Sequence, residues 1–345
     1  MSMNLKNLAY FFITSISIVV ILIFGKSLLI PFVFALLLWF VMRKIRLVLD
    51  KVRFVKNKFP AWAKNLIASA LLLTILAFAS QVISSNIKAL AQSYKKYEVN
   101  LDALMNDMND ILNLDIMEMI EEHSGDFDLG AALGLIFNSL TDILSNAFMI
   151  ILYALFIFLE QTYFRIKLKN LFTDADRFDK VSGILGKIEL SITKYLGLKT
   201  FVSLLTGLLS YVVLVIIGID SPVFWAFLIF VLNFIPTIGS LIGTLFPAAF
   251  CLLQFGEFTP GLMVLLFVGA IQIIVGNIIE PKLMGTSMNI SSLVTIIALS
   301  FWGAIWGVTG MILSVPITVI MVIVFSQFPA TKPIAIALSE KGETD

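Results

Sequence analysis

Charged, cysteine and histidine side chains are scarce in this chain of 345 residues. Only 14% of the residues are charged and 59% are apolar, against about 25% charged and 45–50% apolar in soluble globular domains. This composition excludes a soluble domain and indicates a polytopic membrane protein. The formal net charge of +1 says little about partners, because the placement of charges decides membrane topology.

The chain has one cysteine, Cys251, and one histidine, His123. A single cysteine excludes an intrachain disulfide framework, and the two residues form no cluster of metal-ligand spacing. The sequence also shows no nucleophile and base at a recognisable spacing and no phosphate-binding loop. We therefore expect no catalytic residue, no metal, no cofactor and no nucleic-acid partner, and the sequence does not indicate an enzyme.

Long apolar runs mark the candidate spans, because about 20 apolar residues cross roughly 30 Å of hydrocarbon as a helix. Six runs and two longer windows stand out: 8–24, 27–42, 62–83, 143–163, 196–218 and 258–279, with windows at 223–255 and 290–326. The first run has no small-x-small cleavage site, so we expect an uncleaved span. The expected fold class is all-α, a polytopic helical membrane protein with two broken or re-entrant helical segments and a small extracytoplasmic helical insertion.

The placement of lysine and arginine orients these spans. Seven basic residues lie within 43–58 against one acid, Asp50, and the positive-inside rule puts such a loop in the cytoplasm. Residues 97–164 contain no lysine or arginine, whereas eleven acids lie within 98–142, so this segment is expected outside. We predict a multi-pass protein of the inner (cytoplasmic) membrane with both termini in the cytoplasm.

These patterns divide the chain into five regions. Residues 1–83 are expected to form N-terminal transmembrane helices with a basic cytoplasmic loop, and residues 84–142 an acidic extracytoplasmic helical segment. Residues 143–199 are expected to form a transmembrane helix and a cytoplasmic amphipathic segment. Residues 200–331 would be a transport core with an inverted repeat, and residues 332–345 a cytoplasmic tail.

The acidic segment contains an apolar stripe. Four apolar residues recur in it at spacings of three and four, namely Leu101, Leu104, Met108 and Ile111. This spacing is typical of an amphipathic helix, which packs either on other helices of the same chain or on another subunit. His123 lies in the acidic turn that follows, where we expect it to be solvated.

The C-terminal half is poor in charge. Residues 200–331 hold only four charged side chains, Asp220, Glu257, Glu280 and Lys282. Charges in or at the edge of a membrane are expensive, so each is a candidate for function, with simple exposure to water at a span end as the alternative. Asp220 and Glu280 each lie close to a proline at the end of a span, and we take them as ion-coupling candidates.

The order of span, acid, proline and interrupted window occurs twice, in opposite predicted orientation. Pro236 and Gly239 break the first window, and Gly303, Gly307 and Gly310 break the second. Inverted repeats with broken helices are typical of secondary transporters, whose substrate sites lie near the breaks. Each window would measure roughly 50 Å as one helix, which favours a re-entrant helical hairpin, with a single strongly tilted span as the alternative.

Uncharged polar residues gather at the breaks, where we expect the substrate to bind. Hydroxyl and amide groups beside freed backbone groups suit a neutral hydroxylated solute or a dehydrated cation, although Ser and Thr also pack membrane helices together. The candidate substrate-binding residues are Asn233, Pro236, Thr237, Gly239, Ser240, Asn277, Glu280, Pro281, Gly285, Thr286 and Ser287.

Two segments carry a family resemblance, "FIPTIGSLIGTLFP" and "NIIEPKLMGTSMNISSLVTIIALSFWGAIWGVTGMILSVPIT". They resemble the autoinducer-2 exporter-like family of PerM-type permeases, and the order of spans agrees over nearly the whole chain. Ser292 stands where the family pattern usually has proline. The resemblance implies an exporter or permease for small molecules in a ring-like homo-oligomer, a pentamer, and some relatives are linked to sodium–proton antiport.

Three functions remain open. We expect a secondary transporter that exports a small polar solute, such as an autoinducer-2-like signalling molecule, by alternating access. The alternatives are a sodium (cation)/proton antiporter that uses Asp220 and Glu280, and a non-transporting oligomeric membrane scaffold. The expected partners are a small polar solute or a monovalent cation, the lipid bilayer, and further copies of the chain.

Overall fold

Every regular element of the described residues is a helix. The computed structural model describes residues 5–50, 145–284 and 289–342, together with isolated positions between 64 and 138. The predicted third span at 62–83 and the acidic segment at 84–142, which includes His123, therefore lie almost wholly outside the described residues. The expected all-α fold class is confirmed.

The helices of the described residues fall into two compact units. In chain order the elements are α1 (Leu5–Phe24), α2 (Lys26–Leu49), α3 (Ala147–Leu171), α4 (Ala175–Ile217), α5 (Pro222–Leu232), α6 (Ile238–Phe255), α7 (Phe258–Ile274), the π-helical turn Val275–Ile279, α8 (Glu280–Met284), α9 (Ser292–Ser326) and α10 (Lys332–Leu338). Unit 1 holds α1 to α3, the start of α4, α9 and α10. Unit 2 holds α4 from Lys194 onward and α5 to α8.

Several described helices are long and apolar enough to cross a bilayer. Five meet this criterion, Lys26–Arg46, Ala175–Ile217, Ile238–Phe255, Phe258–Met284 and Ser292–Ser326. A sixth is added if Ala147–Gln161 and Tyr163–Leu171, which are bent by 64° at their junction, form one span. Large apolar side chains on these helices face outward, with Ile216 79% exposed, and lipid is the surrounding that stabilises such a surface. The protein is a multi-pass membrane protein.

In unit 1, α2 and α3 form a closely packed pair. Ala35 of α2 is buried against Ile150 and Ala154 of α3, because small residues let the backbones of membrane helices approach closely. Further along, the Trp39 indole N–H of α2 donates to Gln161 Oε1 of α3 over 3.1 Å. Apolar packing and one polar bond thus hold the pair together.

The first interrupted window is a helical hairpin in unit 2, which we call the first hairpin (α5, the turn and α6). An added Cβ on Gly239 would lie 1.8 Å from the Leu232 carbonyl oxygen, so only glycine allows this approach. The Trp225 and Phe250 rings meet 5.1 Å apart at the other end, so the arms are antiparallel. With 11 residues, α5 measures roughly 16 Å, which fits a re-entrant arm and excludes a single tilted span.

The second interrupted window folds back in the same manner in unit 1, and we call α9 the second hairpin. Its backbone leaves the helical region at Gly307, where φ is 62° and ψ is −146°, a conformation almost restricted to glycine. An added Cβ on Gly310 would lie 1.9 Å from the Trp302 carbonyl oxygen. Residues 292–306 and 308–326 are therefore two antiparallel arms, and α9 is not one straight span.

The second hairpin is tied at both ends. At its tip, Trp306 donates its indole N–H to the Leu22 carbonyl oxygen of α1 over 2.9 Å. At its base, the Ser291 N–H donates to the Leu338 carbonyl oxygen of α10 over 3.2 Å. The first and last helices of the described chain thus hold this hairpin in place.

Candidate functional site

The part of α4 in unit 2 buries polar side chains and exposes apolar ones. Four polar residues at spacings of four and three are 4%, 0%, 1% and 0% exposed, namely Lys199, Ser203, Thr206 and Ser210; we call them the polar seam. This spacing places them on one side of the helix. On another side, Leu204 and Leu208 are 50% and 56% exposed. Such a reversed amphipathic helix is expected where lipid lies outside and a polar path lies inside.

The polar seam begins with an ion pair between a buried lysine and a half-buried glutamate. Lys199 Nζ lies 2.5 Å from Glu280 Oε1, and the side chains are 6% and 19% exposed. Glu280 is the first residue of α8 and follows the π-helical turn, an irregularity that is frequent at functional sites. Removing one partner of a fully buried pair costs about 3–5 kcal/mol, which is an upper bound for this partly buried pair between α4 and α8.

The first hairpin meets the polar seam at Asn233. This residue ends α5, is 7% exposed and donates from Nδ2 to Ser203 Oγ over 3.1 Å. Nearby, an added Cβ on Gly207 of α4 would lie 3.1 Å from the Ala226 carbonyl oxygen of α5. The two helices are therefore antiparallel and in close contact, and the hairpin turn begins beside Ser203, one helical turn from Lys199.

The turn of the first hairpin is strained. Thr237 has φ 61° and ψ −59°, and the Ile238 N–H donates to the Pro236 carbonyl oxygen across it over 2.6 Å. These values describe a γ-turn of the rare form with positive φ, which is unusual for a β-branched residue. Strained backbone of this kind clusters at ligand sites and switch regions. The turn is therefore a candidate part of the functional site.

Three buried polar atoms of unit 2 have no hydrogen-bond partner within the part of the chain that the structure describes. They are Ser210 Oγ, Trp225 Nε1 and Gln272 Nε2. Ser210 belongs to the polar seam, Trp225 lies on α5, and Gln272 on α7 faces Gly243 of α6. Buried polar groups without a partner are uncommon and require an explanation. Trp225 and Gln272 each present an N–H donor, which an oxygen atom of a solute would satisfy.

The predicted substrate-binding residues fall into four groups. Two contact the polar seam, Asn233 and Glu280. Four form the turn of the first hairpin and the start of α6, Pro236, Thr237, Gly239 and Ser240. Two are exposed, Asn277 and Pro281. Three lie outside the described residues, Gly285, Thr286 and Ser287.

The two ion-coupling candidates lie at opposite ends of α4 in unit 2. Glu280 contacts this helix at Lys199, whereas Asp220 follows its last turn at Ile217. At 1.5 Å per residue, about 27 Å of helix separates Lys199 from Ile217. The Asp220 side chain is exposed, and its backbone N–H donates to Gln254 Oε1 over 2.6 Å. The two carboxylates therefore do not share one site.

The polar seam was not identified from the sequence. Lys199 and Glu280 are 81 positions apart, so their pairing has no local signal. A signal did exist in the helical spacing of four polar residues inside an apolar run, which are Lys199, Ser203, Thr206 and Ser210. Gln272 could have been found in the same way, because a polar side chain inside an apolar span is a functional candidate.

Comparison with known proteins supplies the family. Residues 11–330 match the model of the AI-2E family transporter. The chain belongs to the AI-2E transporter family. The expected resemblance is thus confirmed, and a transporter role follows from membership.

Two relatives align with most of this AI-2E transporter. The AI-2 transport protein TqsA of Escherichia coli (strain K12) is 30% identical over 325 residues, which cover 92% of this chain and 91% of TqsA. A protein of Haemophilus influenzae (strain ATCC 51907 / DSM 11121 / KW20 / Rd) is 30% identical over 292 residues, 83% of this chain and 84% of its own length. The similarity therefore extends over the units described above.

A further relative of this AI-2E transporter is named for a different activity. The sodium-lithium/proton antiporter of Halobacillus andaensis is 28% identical over 175 residues. The aligned part covers 50% of this chain and 49% of the antiporter. One relative is therefore named for transport of AI-2, and another for exchange of sodium or lithium ions against protons.

Proposed function

We propose that this AI-2E transporter exports a small, neutral, hydroxylated solute by alternating access, and that the polar seam and the first hairpin bind it. The observation that carries the proposal is the bond between Asn233 and Ser203, both buried at the hairpin tip. Hydroxyl and amide groups at the break of a membrane helix suit a neutral solute. Because the relative TqsA is an AI-2 transport protein, an autoinducer-2-like signal is our first choice of solute.

The charges of the seam also favour a neutral solute. Lys199 carries the positive charge of the polar seam, and Glu280 compensates it at 2.5 Å. An anion would have to displace Glu280 from Lys199, whereas a hydroxylated solute would only need hydrogen bonds. Trp225 and Gln272 offer donors for its oxygen atoms, and an unsatisfied buried donor costs about 1–3 kcal/mol.

The remaining predicted residues are part of this proposal. The tip of the first hairpin would move together with the bound solute. It is formed by Pro236, Thr237, Gly239 and Ser240. Asn277 of the π-helical turn and Pro281 of α8 would line the approach to it. Gly285, Thr286 and Ser287 lie outside the described residues and stay predicted substrate contacts. We further propose an inner-membrane location with cytoplasmic termini, as the basic loops predict, and a homo-oligomeric state.

Transport by the purified protein tests the proposal. Proteoliposomes loaded with autoinducer-2 or with other small hydroxylated solutes would be assayed for efflux with the wild type, Ser203→Ala and Asn233→Leu. We expect each variant to slow efflux about tenfold, because each removes one buried hydrogen bond to a polar partner. Ser300→Ala is the matched control, since the exposed Ser300 hydroxyl donates to the Ile296 carbonyl of its own helix arm.

Normal efflux in both site variants would contradict the site, and absence of efflux for every solute in the wild type would contradict export itself. A protein that moved neither solute nor cation would return the scaffold to consideration. Efflux that did not depend on a cation would exclude obligatory antiport.

Cation/proton antiport is the second candidate, and the half-buried Glu280 favours it. A carboxylate in contact with Lys199 could exchange that partner for a cation and then for a proton. The test is a pH change in proteoliposomes driven by Na⁺ or Li⁺. Antiport requires that Glu280→Gln abolish this pH change, and Asp220→Asn at the other end of α4 is the matched control.

The double variant Lys199→Met/Glu280→Gln separates the two functions. It removes both charges of the pair and leaves no buried charge alone. Solute export by uncharged groups would persist in it, whereas cation-driven pH changes would be lost.

A further inference from the structure

A cavity in unit 1 is lined by residues that the proposed function does not use. Its volume is about 250 Å³, and the described residues that line it are Arg43, Arg46, Asp50 and Gln161; we call it the arginine cavity. The apolar span of α2 ends at Arg46, and α3 bends by 64° between Gln161 and Tyr163, just before its basic residues Arg165, Lys167 and Lys169. The arginine cavity therefore lies where hydrocarbon gives way to lipid headgroups.

The charges around the cavity leave one arginine uncompensated. Arg43 Nε lies 2.6 Å from Glu189 Oε1, and Lys64 Nζ lies 2.5 Å from Asp50 Oδ1. Within the described residues, Arg46 has no carboxylate oxygen within 4.0 Å. The three basic and two acidic residues thus leave an excess positive charge that is centred on Arg46.

Three of the four described lining residues, Arg43, Arg46 and Gln161, carry donor groups. Gln161 Oε1 accepts the Trp39 indole N–H over 3.1 Å, which leaves the Gln161 amide NH₂ group as a donor. The guanidinium of Arg43 lies 5.4 Å from the centre of the Trp39 ring, and Glu189 fixes it from another side. Guanidinium groups held in a fixed orientation bind phosphate oxygens through paired hydrogen bonds.

We propose that the arginine cavity binds the phosphate group of an anionic phospholipid. A lipid headgroup and free phosphate present the same oxygens, but a cavity at the ends of two apolar spans favours the lipid. Its acyl chains would run along apolar side chains that face outward on the two helices, such as Phe32 of α2 and Phe156 of α3, which are 45% and 60% exposed. Basic cavities between membrane helices at the cytoplasmic side are suited to such headgroups.

Thermal unfolding of the full-length protein in detergent tests the proposal. Tm would be measured with added phosphatidylglycerol, phosphatidylcholine or inorganic phosphate. We expect phosphatidylglycerol to raise Tm and phosphatidylcholine to raise it less. In Arg46→Gln the phosphatidylglycerol concentration for half the effect should increase about tenfold, because a charge-assisted bond is lost. Arg46→Lys should lie between, since it keeps the charge and loses the paired geometry.

The matched control is Arg165→Gln, which removes an exposed arginine of α3 beyond the cavity. It should leave the response to phosphatidylglycerol unchanged. A variant is compared only if its Tm in phosphatidylcholine equals that of the wild type, which shows that it is folded. If Arg46→Gln does not fold, Arg46→Lys is used as the test variant.

Several results would overturn the proposal. If Arg46→Gln responded to phosphatidylglycerol like the wild type, the arginine cavity would be excluded as the binding site. If Arg46→Gln and Arg165→Gln weakened the response equally, the effect would be general attraction between charges. Equal responses to the two lipids would exclude recognition of the anionic headgroup. An equal rise of Tm with inorganic phosphate alone would identify a free phosphate ligand instead of a lipid.

Discussion

The first and second hairpins reverse the chain with different chemistry. In each, a glycine of the returning arm, Gly239 or Gly310, rests against a carbonyl oxygen of the preceding arm. The turn of the second hairpin contains Gly307, for which positive φ is permitted. The turn of the first contains Thr237, for which such a conformation costs about 1–3 kcal/mol.

The surroundings of the two tips differ in the same sense. Asn233 at the first tip bonds a buried serine of α4, whereas the second tip is aromatic, with the Trp302 and Trp306 rings 5.3 Å apart. Strain and polarity coincide at the first tip, and glycine and aromatic packing coincide at the second. The two hairpins thus share an architecture, and we propose ligand binding at the first tip and structural support at the second.

The largest expected effect tests what the hairpins share. Gly239→Ala and Gly310→Ala would place a Cβ 1.8 Å and 1.9 Å from backbone carbonyl oxygens. Because a carbonyl in a helix cannot move alone, we expect each variant to lose at least about 3 kcal/mol of stability, the upper end of overpacking effects. Thermal unfolding in detergent measures the loss.

Gly183→Ala is the control for these substitutions. An added Cβ there meets no atom within 4 Å, and alanine favours a helix over glycine by up to about 1 kcal/mol. If Gly310→Ala unfolded the protein while Gly239→Ala had the Tm of the wild type, the shared architecture would be refuted.

A smaller effect separates the two tips. Asn233→Ala would leave Ser203 Oγ buried without its donor and cost about 2 kcal/mol, and we expect solute efflux to fall with it. Trp306→Phe keeps most of the ring packing and removes one N–H donor, at a cost of about 1 kcal/mol, with efflux close to that of the wild type. Tm and proteoliposome efflux would be measured on both variants. Loss of efflux in Trp306→Phe without a loss in Asn233→Ala would reverse the assignment of roles.

The smallest effect concerns the turns and should differ in sign. Gly307→Ala has room for its Cβ, but a residue other than glycine is strained at this backbone conformation, so stability should fall by about 1 kcal/mol. Thr237→Gly relieves the strain of the turn, but glycine also raises the conformational entropy of the unfolded chain, which offsets part of this gain. The stability of the folded protein should therefore rise by about 0.5 kcal/mol. Chemical unfolding would resolve both shifts, and a destabilised Thr237→Gly would show that the turn is not strained.

Both chain reversals could be predicted from the sequence. Prolines and glycines such as Pro236, Gly239 and Gly307 mark breaks, because other residues rarely interrupt a helix surrounded by lipid. The roles of individual glycines could not be predicted. Gly307 forms a turn and Gly310 a contact, and this difference depends on how two arms pack.

The partners of the candidate site were less predictable. Lys199 is the last of a series of basic residues in the sequence, and the positive-inside rule assigns such a series to the cytoplasm. The rule does not tell which of these side chains is buried against another helix. In the structure Lys199 lies within α4, which continues through Gly183 and Gly186 because an isolated glycine weakens a helix without ending it. Its pairing with Glu280 arises only from the packing of α4 with α8.

The bond between Trp306 and Leu22 has a consequence for the time course of synthesis. The two residues are 284 positions apart, and a ribosome that adds about 5–20 residues per second needs roughly 15–60 s to cover that distance. During this time α1 is already made, but Trp306, whose indole N–H donates to the Leu22 carbonyl oxygen, has not yet been synthesised. Unit 1 can therefore close only near the end of translation, when the last hairpin docks on the first helix.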